Sequence, residues 1–312
     1  MLNRDIKKKI LLNFKSRNNF YATTQTLVPI FLIFTLYVIA ANFSFDKTFA
    51  LIIPIGWIYY RLYFPLHDLS HENLFSSKKI NIFFGYLIAS IFATPFRSFQ
   101  KNHMDHHKFA GTEKDPASPD YNFKIENKIF LIKFLIGPLF GSNFVKKLTD
   151  YYKDLSYLKL KIFRNSKLQE TKNIKFDTIG YIAILLMHFI IFLLVTKLDL
   201  NLTWKYFYFV ILPGITISLF LSTLRQFLEH HTIKISSSEI EKYTARTFSC
   251  SYITSILFTS NSFQYHNEHH EFPSISSYYL PQVHQMYKID ENQKIKLSDS
   301  YSKVLMSIWN SV

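Results

Sequence analysis

The sequence predicts an all-α integral membrane protein. Four transmembrane helices form two hairpins, and interfacial helices with a cytoplasmic cap hold a histidine-rich dimetal site. Three observations predict it. Four apolar runs approach the roughly 20 residues needed to cross a bilayer core about 30 Å thick. Lysine and arginine gather on one side of those runs. Ten of the twelve histidines fall in short clusters beside them.

Composition narrows the class first. The chain has 312 residues, 48% of them apolar, and its 32 Phe and 20 Tyr are too apolar and bulky for a disordered chain. Its single cysteine, Cys250, excludes an intrachain disulfide framework, a cysteine-based zinc site and an iron–sulfur cluster, and reads as a passive packing residue. No G-x-G-x-x-G, Walker or G-x-S-x-G pattern occurs, so nucleotide folds and serine hydrolases have no support.

Residues 1–21 form a basic N-terminus, with Arg4, Lys7, Lys8, Lys9, Lys15 and Arg17 against Asp5, and the positive-inside rule places it in the cytoplasm. The apolar core that follows is too long for a cleaved signal peptide and reads as an uncleaved anchor. Residues 22–66 are the first hairpin: Ala22–Ala41, a short loop near Phe43–Lys47, then Thr48–Leu66. Residues 67–176 read as cytoplasmic or interfacial, because 98–176 alone carry fifteen Lys and Arg. A full crossing by Ile80–Phe96 would push that basic stretch outside, so this run is expected to be interfacial or re-entrant. Ile129–Phe140 is expected to be an amphipathic segment along the surface. Residues 177–225 are the second hairpin, Asp177–Thr196 and Thr203–Leu224. Residues 226–312 return to the cytoplasmic side, since Tyr252–Thr259 is too short to span.

The same topology explains the net charge of +14: the basic residues flank membrane runs and do not line a groove, so nucleic acid is not an expected partner. Without repeats, low-complexity tracts or flexible linkers, residues 1–312 read as one domain, multi-pass in a bacterial inner membrane or the endoplasmic reticulum. The sequons at Asn42 and Asn201 fall in the outer loops and read as chance.

The histidines carry the chemistry. His67 and His71 form HxxxH; His103, His106 and His107 form HxxHH; His266, His269 and His270 form a second HxxHH. Random placement would give roughly 0.02 HxxHH matches in such a chain. Residues i, i+3 and i+4 share one face of a helix, so each cluster is expected to aim two or three imidazoles at one point. Neutral imidazole binds Fe, Zn, Cu or Ni. With His230, which follows the last span beside Glu229, nine imidazoles exceed the need of one ion, and two metals sharing them is the expectation. All clusters lie on the predicted cytoplasmic side. Asp68 and Glu229 are placed to hydrogen-bond the outer nitrogens of ligand imidazoles. Asp105 and Glu268 fit that role or salt bridging equally. His231 is expected to face solvent, His284 to be ordinary surface, and His188, mid-span, to hydrogen-bond between helices.

HDLSH from His67, HMDHH from His103 and YHNEHHEFP from Tyr265 resemble the three histidine boxes of the membrane fatty acid desaturase and hydroxylase superfamily. Glu229-His230 resembles the additional ligand position that some members carry after the last span. HMDHHKFAGTEKD and YHNEHHEFP are most similar to sphingolipid (dihydroceramide) Δ4-desaturases, although Asp68 stands where those enzymes usually have Glu. The resemblance implies two iron ions, O2 as co-substrate, and no catalytic protein residue beyond the metal centre. It implies a fatty acyl or sphingolipid substrate that loses two hydrogens to form a double bond. A hydroxylase or ketolase acting on acyl chains, sphingolipids or carotenoids uses the same scaffold, and a non-catalytic membrane metal carrier or lipid receptor is the reading from another class. No electron-transfer segment is recognisable in the chain, so a separate cytochrome b5 or ferredoxin is the implied donor, drawn to the basic face.

Overall fold

The computed structural model describes residues 4–145, 177–231, 245–260, 262–288, 297–298 and 300–312. Residues 146–176 of the basic stretch therefore lie outside the described residues. In chain order the helices are α1 (Arg4–Asn13), α2 (Asn19–Asn42), α3 (Phe45–Ser70), α4 (Lys78–Ile91), α5 (Phe96–Phe109), α6 (Lys128–Ile136), α7 (Thr178–Thr196), α8 (Leu200–His230), α9 (Tyr252–Thr259), α10 (His266–Glu271), α11 (Leu280–Lys288) and α12 (Tyr301–Asn310). Among the described residues the only strands are a parallel pair of two residues each, β1 (Thr247–Phe248) and β2 (Leu297–Ser298).

Among the described residues, four helices, α2, α3, α7 and α8, are long and apolar enough to cross a membrane. They are the four apolar runs of the sequence, extended at their ends for local reasons. The Asn18 side chain accepts from the Tyr21 amide and starts α2 early. α3 continues through His67 to Ser70, and α8 through Arg225 and Glu229 to His230, because the polar side chains there are buried against partners. A bilayer offers no water to backbone groups, so every free carbonyl must find an internal donor. At the end of α2, the buried Lys205 ammonium lies within hydrogen-bond reach of the carbonyls of Ala40, Ala41 and Phe43. Pro213 sits between two π turns of α8, Phe207–Ile211 and Gly214–Ser218, where its missing N–H and ring are accommodated by wider turns. Gly56 lets α3 approach α8 closely: a Cβ there would lie 2.6 Å from the Cβ of Ile217.

Both hairpins point the same way. The α2–α3 and α7–α8 connections meet at one end, where Lys197 donates to Asn42 and the Tyr208 hydroxyl to the Phe49 carbonyl. The opposite end gathers the start of α2, the ends of α3 and α8, and α10. There Asn19 is bonded to Ser76, and Lys7 of α1 pairs with Glu271. His188 of α7 bonds the Tyr206 hydroxyl of α8 through Nδ1 at 2.7 Å, the interhelical role expected for it.

α4 and α5 meet at a 101° bend. α4 begins beside α2 and reaches Ser90, next to mid-span His188. The chain turns through Ala93, whose φ is +50°, and the Arg97 amide then bonds Asp177 at the start of α7. The pair thus enters and leaves at the histidine end, the geometry of a re-entrant segment. Gly85 makes this fold-back possible, since a Cβ would lie 2.2 Å from the Phe96 ring. The expectation of an amphipathic Ile129–Phe140 is corrected. Leu131 is buried against Phe227 and Leu228, yet Ile129, Ile132 and Ile136 are all exposed, so apolar residues surround α6. α6 packs on α8 and gives way to a 3-10 turn at Gly137–Phe140.

Candidate metal centre

Four elements carry the nine candidate ligands: the end of α3, α5, the end of α8, and the short α10. Their side chains form two groups. His67, His71, His103, His107 and His269 make one; His106, His230, His266 and His270 make the other. Within each group the candidate ligand atoms all lie within 4.8 Å of one another. In the first, Nε2 of His103 is 2.8 Å from that of His71 and 3.1 Å from that of His107, which is 3.0 Å from that of His269. In the second, Nε2 of His266 is 3.0 Å from that of His230 and 3.3 Å from that of His270.

The clusters do not each converge on one point, and this corrects the expectation from spacing. At 100° per residue, i and i+4 are about 40° apart around a helix, whereas i+3 lies about 60° to the other side. His103 and His107 therefore face the first group, and His106 the second. His266 and His270 face the second group, and His269 the first. α5 and α10 thus each contribute to both groups.

The outer contacts follow the expected pattern at Asp68 and depart from it at Glu229. Asp68 is buried and lies 3.3 Å from His67 Nδ1, and its other oxygen accepts from the Ser277 hydroxyl and amide. Glu229 is not on an outer nitrogen. It pairs with Arg225 at 2.6 Å and accepts from the Tyr301 hydroxyl at 3.2 Å. Its nearest imidazole atom is the inward-facing Nε2 of His266, at 3.6 Å. Asp105 makes an i, i+4 ion pair with Lys101, which is the bridging alternative. Glu268 is fully buried and bonded to Thr247 and His284. His284 is accordingly not surface, and His231 does not face solvent. The latter is buried, donates from Nδ1 to the Tyr121 carbonyl at 2.8 Å, and stacks on Phe227.

Two contributors escaped the sequence reading. Asp115 accepts from His106 Nδ1 at 2.9 Å, and it closes the stretch HMDHHKFAGTEKD, which was the available signal. Asn73 ties the first cluster to the third by donating to the carbonyls of Pro273 and Ile275. Its place just after His71 gave no hint of a partner 200 residues away.

The donor set fits metal ions. A neutral imidazole has one N–H and one lone pair. With Asp115 on Nδ1, the N–H of His106 is committed there and its Nε2 presents a bare lone pair. His67 likewise has Nδ1 toward Asp68, while its buried Nε2 has no hydrogen-bond partner among the described residues. Nine inward-facing nitrogens cannot all satisfy one another, and a cation in each group would resolve the repulsion. Burial, reinforced by neighbouring imidazoles, holds the pKa values of His71, His266, His269 and His270 well below the ordinary 6.5, so these rings are neutral at physiological pH.

A pH dependence follows. Well above pH 6.5 these rings are neutral whether the chain is folded or unfolded. Below it, the unfolded chain takes up protons that the folded site refuses, so stability falls as pH drops toward the depressed folded values. Thermal unfolding of chelator-treated protein in detergent is expected to give a lower midpoint at pH 5.5 than at pH 7.5. A flat profile contradicts burial of neutral rings.

Comparison with known proteins is consistent with this geometry. Residues 47–294, most of the chain and all nine histidines, match the family described as "Fatty acid desaturase". A protein from Bacillus subtilis (strain 168) named "Fatty acid desaturase" is 25% identical over 93 residues, which are 30% of this chain and 26% of that protein.

Proposed function

The chain belongs to the fatty acid desaturase family, and from that membership we propose that it is a membrane enzyme that uses O2 and two histidine-bound irons to introduce a double bond into a lipid acyl chain. The observation that carries the reading is the grouping of nine imidazoles as five and four at one end of four apolar helices. When bound, the iron pair supplies O2 activation: O2 takes two electrons from two C–H bonds and two from a carrier, and leaves as two waters with two added protons.

The chain's own residues supply position and exclusion of water. His67 and His71 extend from α3, so the first group sits where a spanning helix ends, within reach of a lipid tail. Aromatic rings line that side and keep it apolar: Phe263 lies 4.8 Å from the His67 ring, Phe64 4.7 Å from Phe263, and Phe99 stacks on His103. The substrate is an acyl lipid or sphingolipid, the latter supported by the likeness around His103 and Tyr265. The histidine end faces the cytoplasm, on the side of the basic N-terminus, in a bacterial inner membrane or the endoplasmic reticulum. Exposed Lys101, Lys108 and Lys114 near α5 suit an acidic electron carrier of the cytochrome b5 or ferredoxin type.

Expression in a host lacking desaturases, with a cytochrome b5 or ferredoxin system supplied, tests the proposal. Lipid mass spectrometry is expected to show species lighter by two hydrogens, with fragmentation placing the bond and identifying the backbone. A product heavier by one oxygen would replace desaturation with hydroxylation. No product from iron-replete protein with either donor would overturn the reading.

A further inference from the structure

We propose that Asp115 is the positioning residue for the four-imidazole group, so that occupancy of this group can be removed separately from that of its neighbour. The proposal rests on the reading of the histidines as a two-metal centre.

The geometry is specific to one group. After α5 the chain loops through Ala110–Tyr121 and wraps the four-imidazole side. Asp115 is 2% exposed and uses both oxygens. One accepts from His106 Nδ1 at 2.9 Å and from the Tyr121 hydroxyl; the other accepts from the Ala117 amide at 2.8 Å. The Tyr121 oxygen in turn accepts from the Gly111 amide at 2.8 Å. The same tyrosine packs its ring 5.0 Å from that of His230, and its carbonyl accepts from His231. One loop therefore orients two of the four imidazoles in this group, and its anchor is a single carboxylate.

His106 needs such an anchor. It is the i+3 member of its cluster and turns away from His103 and His107 toward the other group. Donating from Nδ1 to Asp115 fixes both the tautomer and the ring angle that present Nε2 inward. The five-imidazole group has its own carboxylate in Asp68. Removing Asp115 leaves that group and its outer contact in place.

The test is a cobalt(II) titration of chelator-treated, detergent-purified protein, followed by visible absorption and by metal analysis after desalting. Wild type is expected to bind two ions per chain. Asp115→Asn is expected to keep one and to bind the second about 10–100-fold more weakly. Tyr121→Phe, which keeps the carboxylate, should fall between them. Asp105→Asn, beside the same cluster but paired with Lys101, should match wild type. Two tight ions in Asp115→Asn would overturn the proposal. Equal weakening of both ions, or a collapsed thermal midpoint in both Asp115→Asn and Tyr121→Phe, would assign Asp115 a general structural role and also overturn it. Fewer than two ions in wild type would instead refute the two-metal reading itself.

Discussion

His269→Ala and His266→Ala are each expected to reduce product by more than about 100-fold, because deleting a ligand exceeds the 10–100-fold cost typical of deleting a ligand's outer partner. The two variants should differ in the metal they lose. His269 belongs to the five-imidazole group and His266 to the four-imidazole group, although both lie on the same six-residue helix. Metal analysis, together with a spectroscopic probe of metal–metal interaction, distinguishes one ion lost from two. Full activity in either variant would remove that residue from the centre. Identical metal loss in both would mean that the two groups fill only together.

Arg225→Leu is expected to destabilise the protein by about 3–5 kcal/mol, the usual cost of leaving one member of a buried ion pair uncompensated. Arg225 and Glu229 are 3% and 1% exposed, lie one turn apart on α8, and are bonded at 2.6 Å. The guanidinium also lies over Tyr63, Phe64 and Phe263, at 5.4 to 5.8 Å from the ring centroids. Losing it would leave the Glu229 carboxylate facing His266 with only Tyr301 as a donor among the contacts described above. A large fall in the thermal midpoint in detergent is the expected result. The double variant Arg225→Leu/Glu229→Leu should recover part of it, since replacing a buried pair by apolar residues is often neutral. An unchanged midpoint in the single variant would show that the pair carries no such weight.

The centre was partly legible in the sequence, and the gaps have physical causes. Eight of the nine imidazoles that the structure gathers lie in HxxxH and HxxHH on helices, and the ninth, His230, follows the last apolar run, so all nine could be named without coordinates. Depth could not. His231 and His284 follow ordinary surface patterns, but each is covered by a segment remote in sequence, the Tyr121 carbonyl in one case and Glu268 in the other. Glu229, adjacent to His230, invited an outer hydrogen bond; the helix instead sends it toward Arg225, four residues back. Asp115 was visible only as a letter in a motif, since nothing local reveals that the chain after α5 returns it to His106, nine residues back.

Helical class, the four long apolar helices, their hairpin pairing and the histidine clusters were determined by the sequence alone, because they depend on hydropathy over about 20 residues and on helical spacing. Only the tertiary structure decided how nine imidazoles divide into five and four, which carboxylate supports which ring, and that the chain turns back after α4. Helical spacing separates His106 from His107 by 100°, but it does not say what each will meet. That depends on the angles at which α3, α5, α8 and α10 come together, and those angles are set by contacts such as Gly85 on Phe96 and Asn73 on Pro273, between residues far apart or invisible to any local pattern.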